Sequence, residues 1–434
     1  MSSNDRPYVL AILPALYTST VINVVKPLLQ LHLAAKIQMD ISFESLVTPS
    51  KLAWADVVIF CRNIEPEYGH LLELAFTWGK PIIYDLDDNL LEAPDSTPGL
   101  RYFRHPERQA QLKKYLTQAN LVRVYAPALQ RYLASYNSNV FKVNGPLDWK
   151  LVPSSFPPRT SQRVRLVYAT ARLEDEIGEM LVNSILRILN TFPQVELTIW
   201  GPQLKALQRQ PGVRHLNVIM DYDAFFYKFA RQRFDIGLAP LPDDLFHRCK
   251  TNVKFREFAA CQIAGVYSNI EVYSECVENG ITGLLVGSDE VEWFTAIARL
   301  IEDLSLRENI QRQAQTFARQ HYNHEQMQAD WLAHIQQVLA ASPQIATSQL
   351  QGGGPVKNII STTSDTRPAA LATGVLNQAL RYSTRIVPML KERGLYVTLG
   401  RIRLHLSSFK QLISLKIKLW HLQHQQSKEQ KLQQ

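Results

Sequence analysis

Residues 235–269, DIGLAPLPDDLFHRCKTNVKFREFAACQIAGVYSN, contain a complete alternation of apolar and helical patterns. The runs DIGLAPL and GVYSN at its two ends are short and apolar, as buried strands of parallel sheets are. A helix that begins near residue 250 would direct Phe255, Phe258 and Ile263 towards a core. The stretch therefore predicts a strand, a helix and a second strand, which is the repeating unit of a parallel α/β sheet.

The same alternation extends in both directions from this unit. A stretch rich in proline and serine, 152–163, divides it into two series, and residues 291–340 show helical patterns only, which would pack on the second sheet or bridge the domains. The sequence predicts an α/β protein with two doubly wound Rossmann-like domains that face a cleft. The predicted strands are 8–13, 55–61, 80–86, 121–126 and 140–144 in the first series, and 164–170, 195–201, 213–220, 235–241, 265–269 and 282–287 in the second.

These patterns divide the chain of 434 residues into four parts. We expect one domain over 1–155, a second over 160–342, a flexible linker over 343–374 and a basic, partly amphipathic tail over 375–434. Composition is that of a soluble folded protein, with 46% hydrophobic and 20% charged residues, which excludes collagen-like and wholly disordered classes. The four cysteines form no CxxC pair, so neither a zinc ribbon nor a disulfide framework is indicated, and a cytoplasmic location is expected.

The net charge of +8 belongs to the end of the chain, because Lys357 and the residues after it include 13 Lys and Arg against 3 Asp and Glu. Apolar residues between Leu395 and Trp420 form an imperfect helical stripe, which is typical of a helix at an anionic membrane surface. Docking of this tail on its own protein, or partial disorder, is an equal alternative. Nucleic acid is not an expected partner, because the tail has few aromatics and no recognised motif. We expect no membrane span, since the apolar stretch 7–25 contains two prolines and several polar residues, and we expect at most peripheral attachment to the inner face of a membrane.

Lys250, Lys254 and Glu257 are spaced four and three residues apart, which places them on one stripe of a helix that begins near residue 250. Cations at the start of a helix favour a diphosphate, and a carboxylate two turns in can accept both hydroxyls of a ribose. This spacing indicates a nucleotide-sugar site. The alternative is a solvated surface pair between Lys254 and Glu257, worth about 0.2–0.5 kcal/mol.

The segments KFREFAA, GVYSN, ECVENGITGLLV and EWFTAIARLIED follow one another in an order that resembles the donor-binding half of GT-B glycosyltransferases of family four, the group 1 type. The resemblance covers 164–340 well and the first half more weakly, through YDLDDNLLEAP and NGPLD (144–148). It implies a hexosyltransferase-like enzyme of polysaccharide biosynthesis that moves a sugar from a nucleoside-diphosphate donor to a glycan or lipid-linked acceptor. It further implies retention of anomeric configuration. We expect no cofactor besides the nucleotide-sugar substrate. The alternative is a non-catalytic GT-B-like subunit that binds a sugar nucleotide or a glycan.

The resemblance also assigns residues on the donor side. Glu257 matches the second glutamate of the family's E-x7-E pair and resembles a ribose clamp, whereas Cys249 stands where the first glutamate belongs. Thr170, Ser268 and Asn269 end strands of the second domain and complete the expected donor-binding set.

The expected catalytic group consists of cations that stabilise the departing diphosphate. In the family pattern G-R-L-x-x-x-K, Arg172 stands at the arginine, while Ala171 and Ile177 replace the glycine and the lysine. Lys250 and Lys254 are assigned to the same diphosphate. If preorganised cations do this work, transfer requires no metal.

Four residues of the first domain are candidates for the acceptor side. Arg62 directly follows the predicted strand 55–61, Asp87 and Asp88 follow strand 80–86, and His105 lies in a later loop. An ordinary surface histidine is the more common interpretation of His105. Together with Asp85, the two aspartates could instead hold Mg²⁺ or Mn²⁺, as in a GT-A enzyme.

Overall fold

The structure is a computed structural model that describes residues 6–95, 98–156, 163–170, 178, 181–201, 204–219 and 221–341. Arg172, the linker over 343–374 and the basic tail over 375–434 lie outside these residues. The predictions made for them therefore stay predictions.

The first lobe is built on a six-stranded parallel sheet with the strand order β2-β1-β3-β4-β5-β6. Its strands are β1 (Tyr8–Leu13), β2 (Gln38–Phe43), β3 (Val57–Cys61), β4 (Ile82–Asp85), β5 (Leu121–Val124) and β6 (Val140–Lys142). Strand β2 is absent from the sequence prediction, because Gln38, Asp40 and Ser42 interrupt its apolar run. It lies at the edge of the sheet, where one side of a strand is less enclosed and alternating polar residues are tolerated.

The second lobe repeats this construction with the order β12-β11-β10-β7-β8-β9, again all parallel. Its strands are β7 (Val164–Ala169), β8 (Val195–Trp200), β9 (Val213–Leu216), β10 (Ile236–Ala239), β11 (Ala264–Ser268) and β12 (Leu284–Val286). All six correspond to predicted strands. The predicted fold class, two doubly wound α/β lobes, is confirmed.

Helices connect the strands of both lobes. They are α1 (Thr18–Thr20), the π-helix Val21–Val25, α2 (Lys26–Leu33), α3 (Pro49–Trp54), α4 (Gly69–Thr77), α5 (Pro98–Arg101), α6 (Pro106–Gln118), α7 (Pro127–Leu133), α8 (Val182–Thr191), α9 (Tyr222–Ala230), α10 (Leu245–Arg248), α11 (Val253–Ala260), α12 (Glu271–Ser274), α13 (Glu290–Glu302), α14 (Leu304–His321) and α15 (His324–Ala341). Short 3₁₀ turns occur at Glu44–Leu46, Pro66–Tyr68, Leu90–Glu92, Tyr102–Arg104, Trp149–Leu151 and Lys205–Leu207. Across the described part of the chain, every helix is too short or too polar to traverse a lipid bilayer.

The last helix, α15, packs against the first lobe although it follows the second lobe in sequence. Its Met327, Trp331, Ile335 and Val338 are buried in one cluster with residues of β1 and β3. The Trp331 indole donates a 2.8 Å hydrogen bond to the carbonyl of Asn23, inside the π-helix. The helix therefore completes the core on one face of the first sheet and ties the two lobes together.

Candidate functional site

Strand order determines where a ligand can bind in sheets of this kind. In the first sheet the order reverses between β1 and β3, and in the second between β7 and β10. Ligands of open α/β sheets bind outside the carboxyl ends of the strands at such switch points. Arg62 directly follows β3, Thr170 follows β7, and Lys250 lies in the connection after β10. Three of the predicted residues thus stand at the two switch points.

Arg62 is held in an unusual backbone conformation directly after β3. Its φ is +58°, in the left-handed region that residues with a side chain seldom adopt, and its N–H donates to the carbonyl of Asp85. The guanidinium pairs with Asp87 and lies 3.2 Å from Oδ2 of Asp88. Only 13% of the Arg62 side chain is exposed. The predicted acceptor-side residues Arg62, Asp87 and Asp88 therefore form one cluster at the carboxyl edge of the first sheet.

Lys250 brings the second lobe into this cluster. Its ammonium lies 3.2 Å from Oδ1 of Asp88 and 4.2 Å from the centre of the Phe246 ring. Burial disfavours a charge on Asp88, but the charges of Lys250 and Arg62 outweigh burial and hold the pKa of this carboxyl well below its usual range. Asp88 is thus an ionised carboxylate between two cations, one from each lobe.

The prediction that one helix carries both lysines and the glutamate is wrong in one respect. Helix α11 begins at Val253 with Asn252 before it, and Lys250 lies in the turn that follows α10. Lys250 is therefore free of the helical stripe and reaches the opposite lobe. The predicted core residues Phe255, Phe258 and Ile263 are all buried.

Lys254 and Glu257 form an ion pair within α11, with 2.7 Å between Nζ and Oε2. It is not a solvated surface pair, because the Glu257 side chain is only 2% exposed. The Tyr222 hydroxyl also hydrogen-bonds to Glu257, and burial together with the Glu257 charge raises the pKa of Tyr222 well above its usual value. The predicted ribose clamp is thus an enclosed carboxylate whose partners are a lysine and a tyrosine of its own lobe.

Cys249, which stands where the family pattern has its first glutamate, lies at the contact between the lobes. It is fully buried in the apolar cluster of the first lobe, and Asn89 Nδ2 donates to its sulfur over 3.6 Å. Burial raises the pKa of the Cys249 thiol to about 11. Cys249 therefore packs where the two lobes meet. Asn89, its hydrogen-bond partner from the first lobe, is absent from the residues predicted from the sequence.

The remaining donor-side residues lie at strand ends of the second lobe. The N–H of Thr170 donates to the carbonyl of Trp200, and Ser268 Oγ accepts a 2.8 Å hydrogen bond from the N–H of Leu241. Asn269 is exposed, and its N–H donates to the carbonyl of Val286. The backbone next to Thr170 is tightly packed, because a Cβ on Gly201 would lie 2.2 Å from the Thr170 carbonyl oxygen.

Two residues weighed for the first lobe lie elsewhere. Asp85 is 1% exposed and faces the interior, where it accepts a 2.6 Å hydrogen bond from the Tyr125 hydroxyl and lies 3.5 Å from Arg123 Nε. It does not share the orientation of Asp87 and Asp88. His105 is exposed at the start of α6 and takes no part in the contacts of the Arg62 cluster given above.

Asp87 and Asp88 form ion pairs with Arg62 and Lys250. Carboxylates that bind a metal ion would instead direct their oxygens at a common point. Within the residues that the structure describes, no three His, Cys, Asp or Glu side chains are grouped as a metal site requires. What the cluster does provide chemically is two cationic side chains and two carboxylates where the lobes meet. Cations of this kind can stabilise a phosphate, and carboxylates can accept hydrogen bonds from sugar hydroxyls.

A second set of contacts spans the lobes at the crossing segment 144–148. Lys26 Nζ lies 2.7 Å from Asp223 Oδ1 of the second lobe and 3.1 Å from Asp148 Oδ2. Arg256 donates a 2.9 Å hydrogen bond to the carbonyl of Pro146. The predicted interdomain element NGPLD is thus anchored to both lobes.

Solved structures of GT-B glycosyltransferases resemble this architecture. The Anabaena protein HepE, solved with UDP and glucose, superposes with a TM-score of 0.57 at 14% identity, over 76% of this chain and all of HepE. Sucrose-phosphate synthase from Thermosynechococcus elongatus gives a TM-score of 0.58 at 13% identity, over 77% of this chain and all of that enzyme. A glycosyltransferase from Rickettsia africae gives a TM-score of 0.54 at 14% identity, over 78% of this chain and all of that protein. No protein-family model matches the sequence, and the search of curated proteins found no match. At these identities the likeness shows the fold, which is GT-B.

Proposed function

We propose that this protein is a glycosyltransferase that moves a sugar from a nucleoside-diphosphate donor to a hydroxyl of a glycan or lipid-linked acceptor. The observation that carries the proposal is the meeting of Arg62 and Lys250, from opposite lobes, on one carboxylate between the two switch points. The GT-B fold supports it, because HepE has that fold and is described in complex with UDP and with UDP-glucose. We also propose the family-four assignment on the motifs of the second lobe.

In the proposed reaction, the bond between the anomeric carbon and the diphosphate oxygen breaks while the acceptor oxygen bonds to the same face of that carbon. The acceptor proton passes to the departing diphosphate, so the configuration is retained. Negative charge grows on the diphosphate as the bond lengthens, and Lys250, Lys254 and Arg172 are the proposed cations that stabilise it. Because these side chains supply the positive charge, we propose that the reaction needs no metal.

Donor binding in this arrangement requires the ion pairs of Lys250 and Lys254 to rearrange. Both lysines already form ion pairs with carboxylates. A diphosphate therefore competes with Asp88 for Lys250 and with Glu257 for Lys254. When Lys254 turns to the phosphate, Glu257 is left to accept the ribose hydroxyls. Thr170, Ser268 and Asn269 are proposed to line the donor, and Arg62, Asp87, Asp88 and His105 the acceptor side.

We propose a cytoplasmic protein of polysaccharide biosynthesis whose basic tail meets an anionic membrane surface. The support is the charge of the chain from Lys357 onward, 13 basic against 3 acidic residues, and the location of lipid-linked acceptors at such a surface. Deletion of residues 353–434 should move the protein from the membrane to the soluble fraction and leave donor binding intact. An unchanged distribution would contradict the membrane proposal alone.

Donor binding and donor hydrolysis test the main proposal. A thermal-shift panel of nucleotide sugars that starts with UDP-glucose should contain one donor that stabilises the protein, by about 2.7 kcal/mol at 100 times its Kd. Glu257→Ala should abolish this shift and the hydrolysis of that donor, whereas Glu302→Ala, a change at an exposed helical glutamate, should leave both unchanged. Full activity in excess EDTA is expected. A panel without a stabilising donor, or wild-type behaviour of Glu257→Ala, would overturn the assignment.

One observation favours the second candidate, a non-catalytic subunit that binds a sugar nucleotide or a glycan. The buried Cys249 fills the position of a family glutamate and leaves one carboxylate fewer for a donor. A protein of this kind would bind a nucleotide sugar and would neither hydrolyse nor transfer it. The hydrolysis assay above therefore separates the two candidates.

A further inference from the structure

A chain of buried polar groups lies beneath Arg62. Asn63 is fully buried, and its side-chain oxygen accepts a 2.7 Å hydrogen bond from the N–H of Cys61. Its side-chain nitrogen donates a 2.7 Å hydrogen bond to Oε1 of Glu44. Its carbonyl accepts from the Tyr84 hydroxyl over 3.1 Å. Asn63 therefore closes the turn over residues 61–63, in which Arg62 is the middle residue.

The orientation of the Asn63 amide follows from chemistry. A backbone N–H can only donate, so the oxygen of the amide must face Cys61, and the NH₂ group must face Glu44. A buried NH₂ group needs an acceptor, and Glu44 supplies it. Glu44 thereby fixes the side chain that closes the turn.

The turn requires such support because Arg62 has a φ of +58°. A residue with a side chain persists in the left-handed region only where its surroundings hold it there. If the closing hydrogen bond of Asn63 is lost, Arg62 can relax towards an ordinary conformation and its guanidinium moves away from Asp87 and Asp88.

Glu44 itself is 6% exposed and follows the edge strand β2, far in sequence from the cluster. Burial raises the pKa of Glu44 to about 8, the hydrogen bond from Asn63 opposes that rise, and the charges of Glu65 and Glu67 add to it. The hydroxyls of Tyr84 and Tyr115 interact with it electrostatically from β4 and α6. Glu44 is therefore neutral around pH 7, and its ionisation would place a charge among two acidic and two phenolic groups.

We propose that Glu44 is a positioning residue that acts through Asn63 to hold Arg62 in the turn that presents its guanidinium to the cleft. Its consequence for catalysis rests on the proposed function, whereas its effect on Arg62 does not. In this arrangement Asn63 orients the arginine, and Glu44 orients Asn63.

The test measures how fast phenylglyoxal modifies Arg62, quantified by peptide mass spectrometry relative to the exposed Arg209 in the same sample. Glu44→Leu removes the acceptor, and the Arg62 rate should rise about fivefold or more. Glu44→Gln keeps an oxygen acceptor and should restore the wild-type rate. Glu73→Gln removes an exposed carboxylate of the same lobe that pairs with Lys114, outside the chain of hydrogen bonds, and should also match wild type.

The pH profile separates positioning from a general loss of stability. Between about pH 5 and about pH 8 the relative Arg62 rate should rise in wild type and stay flat in Glu44→Gln, because an opened turn lets Glu44 ionise near its ordinary pKa, whereas the closed turn keeps it protonated up to about pH 8. Equal rates of Arg62 modification in wild type and Glu44→Leu would overturn the proposal. The same pH profile in wild type and Glu44→Gln would overturn it too, and this comparison decides if Glu44→Leu does not fold. The labelling needs no donor, so its result is independent of whether the protein transfers a sugar.

Discussion

The Lys250 ammonium and the Asp88 carboxylate lie 3.2 Å apart, although the lysine follows β10 of one lobe and the aspartate follows β4 of the other. Arg62 approaches the second oxygen of the same carboxylate, also at 3.2 Å. Asp88 thus pairs with a lysine that is proposed to bind the donor diphosphate. This contact links the affinity for an anion to the contact between the lobes.

Asp88→Asn should therefore strengthen the binding of UDP. The substitution removes both the competitor for Lys250 and a negative charge near the diphosphate, and the Kd of UDP should fall about tenfold, or about 1.4 kcal/mol. Isothermal titration calorimetry measures this change. Asp243→Asn, at an exposed aspartate paired with Arg248, is the matched control and should bind UDP as wild type does. Equal or weaker binding by Asp88→Asn would show that Asp88 does not compete.

The Cys249 thiol should report separation of the lobes. It is fully buried with a pKa raised to about 11, so it should react slowly with a thiol reagent such as DTNB. Asp88→Asn breaks the neighbouring contact between the lobes and should accelerate labelling of Cys249 about fivefold or more. Three other cysteines are buried as well, so Cys249 must be identified as the labelled thiol. Cys249→Ser should abolish the increase in labelling that Asp88→Asn causes. Labelling at the wild-type rate in Asp88→Asn would mean that the lobes stay together without the ion pair.

His334 should make the docking of α15 sensitive to acid. Burial and the nearby Arg123 lower the pKa of His334 to about 4, and Arg123 NH1 lies 2.6 Å from its Nδ1. Between about pH 6.5 and about pH 4 the unfolded chain therefore binds a proton that the folded chain does not, so the free energy of unfolding falls as the pH falls.

His334→Asn removes this titration and keeps an acceptor for Arg123. Chemical denaturation at several pH values should show a smaller loss of stability on acidification, by on the order of 1 kcal/mol. The dependence should not vanish, because the pKa values of His32 and His324 are lowered too. His70→Asn, at an exposed histidine, should show the same pH dependence of the free energy of unfolding as wild type. If His334→Asn also keeps the wild-type pH dependence, His334 does not contribute to the acid sensitivity.

Gly145 should be required in the crossing segment because Arg256 lies against it. A Cβ at position 145 would be 2.5 Å from NH1 of Arg256, which is 5% exposed and bonded to the Pro146 carbonyl. Gly145→Ala should lower the free energy of unfolding by about 1–3 kcal/mol. Adding Arg256→Met should remove the clash, so the double variant should lose less stability than the sum of the two single variants. Additive losses would contradict the steric explanation.

Eleven of the twelve strands in the described part of the chain could be predicted because each is a short, mostly apolar run within an alternating pattern. The exception, β2, alternates polar residues such as Asp40 with apolar ones, and its position at the sheet edge is a tertiary property that local sequence does not carry. The predicted start of α11, near residue 250, is three residues early, because Lys250 fits the helical spacing while the helix begins only at Val253, after Thr251 and Asn252.

The candidate site was predictable residue by residue but not as a set of contacts. Arg62, Asp88 and Lys250 could each be placed at a strand end, and the pairing across the cleft depends on strand order and on how the lobes face each other. Glu44 and Asn63 gave no signal, since a single buried carboxyl and a single amide have no spacing pattern. The strand that precedes Glu44, β2, is itself not predicted from the sequence, so the place of Glu44 beside Asn63 could not be predicted either.

The return of α15 to the first sheet has a consequence for synthesis on the ribosome. Met327, Trp331, Ile335 and Val338 belong to the core that β1 and β3 help to form, so that core lacks one wall until more than three hundred residues have been translated. The first half of the chain must therefore wait, with apolar surface exposed, while the second half emerges and folds. A fragment that ends after β6 would retain that exposed wall permanently, and we expect it to aggregate when expressed alone.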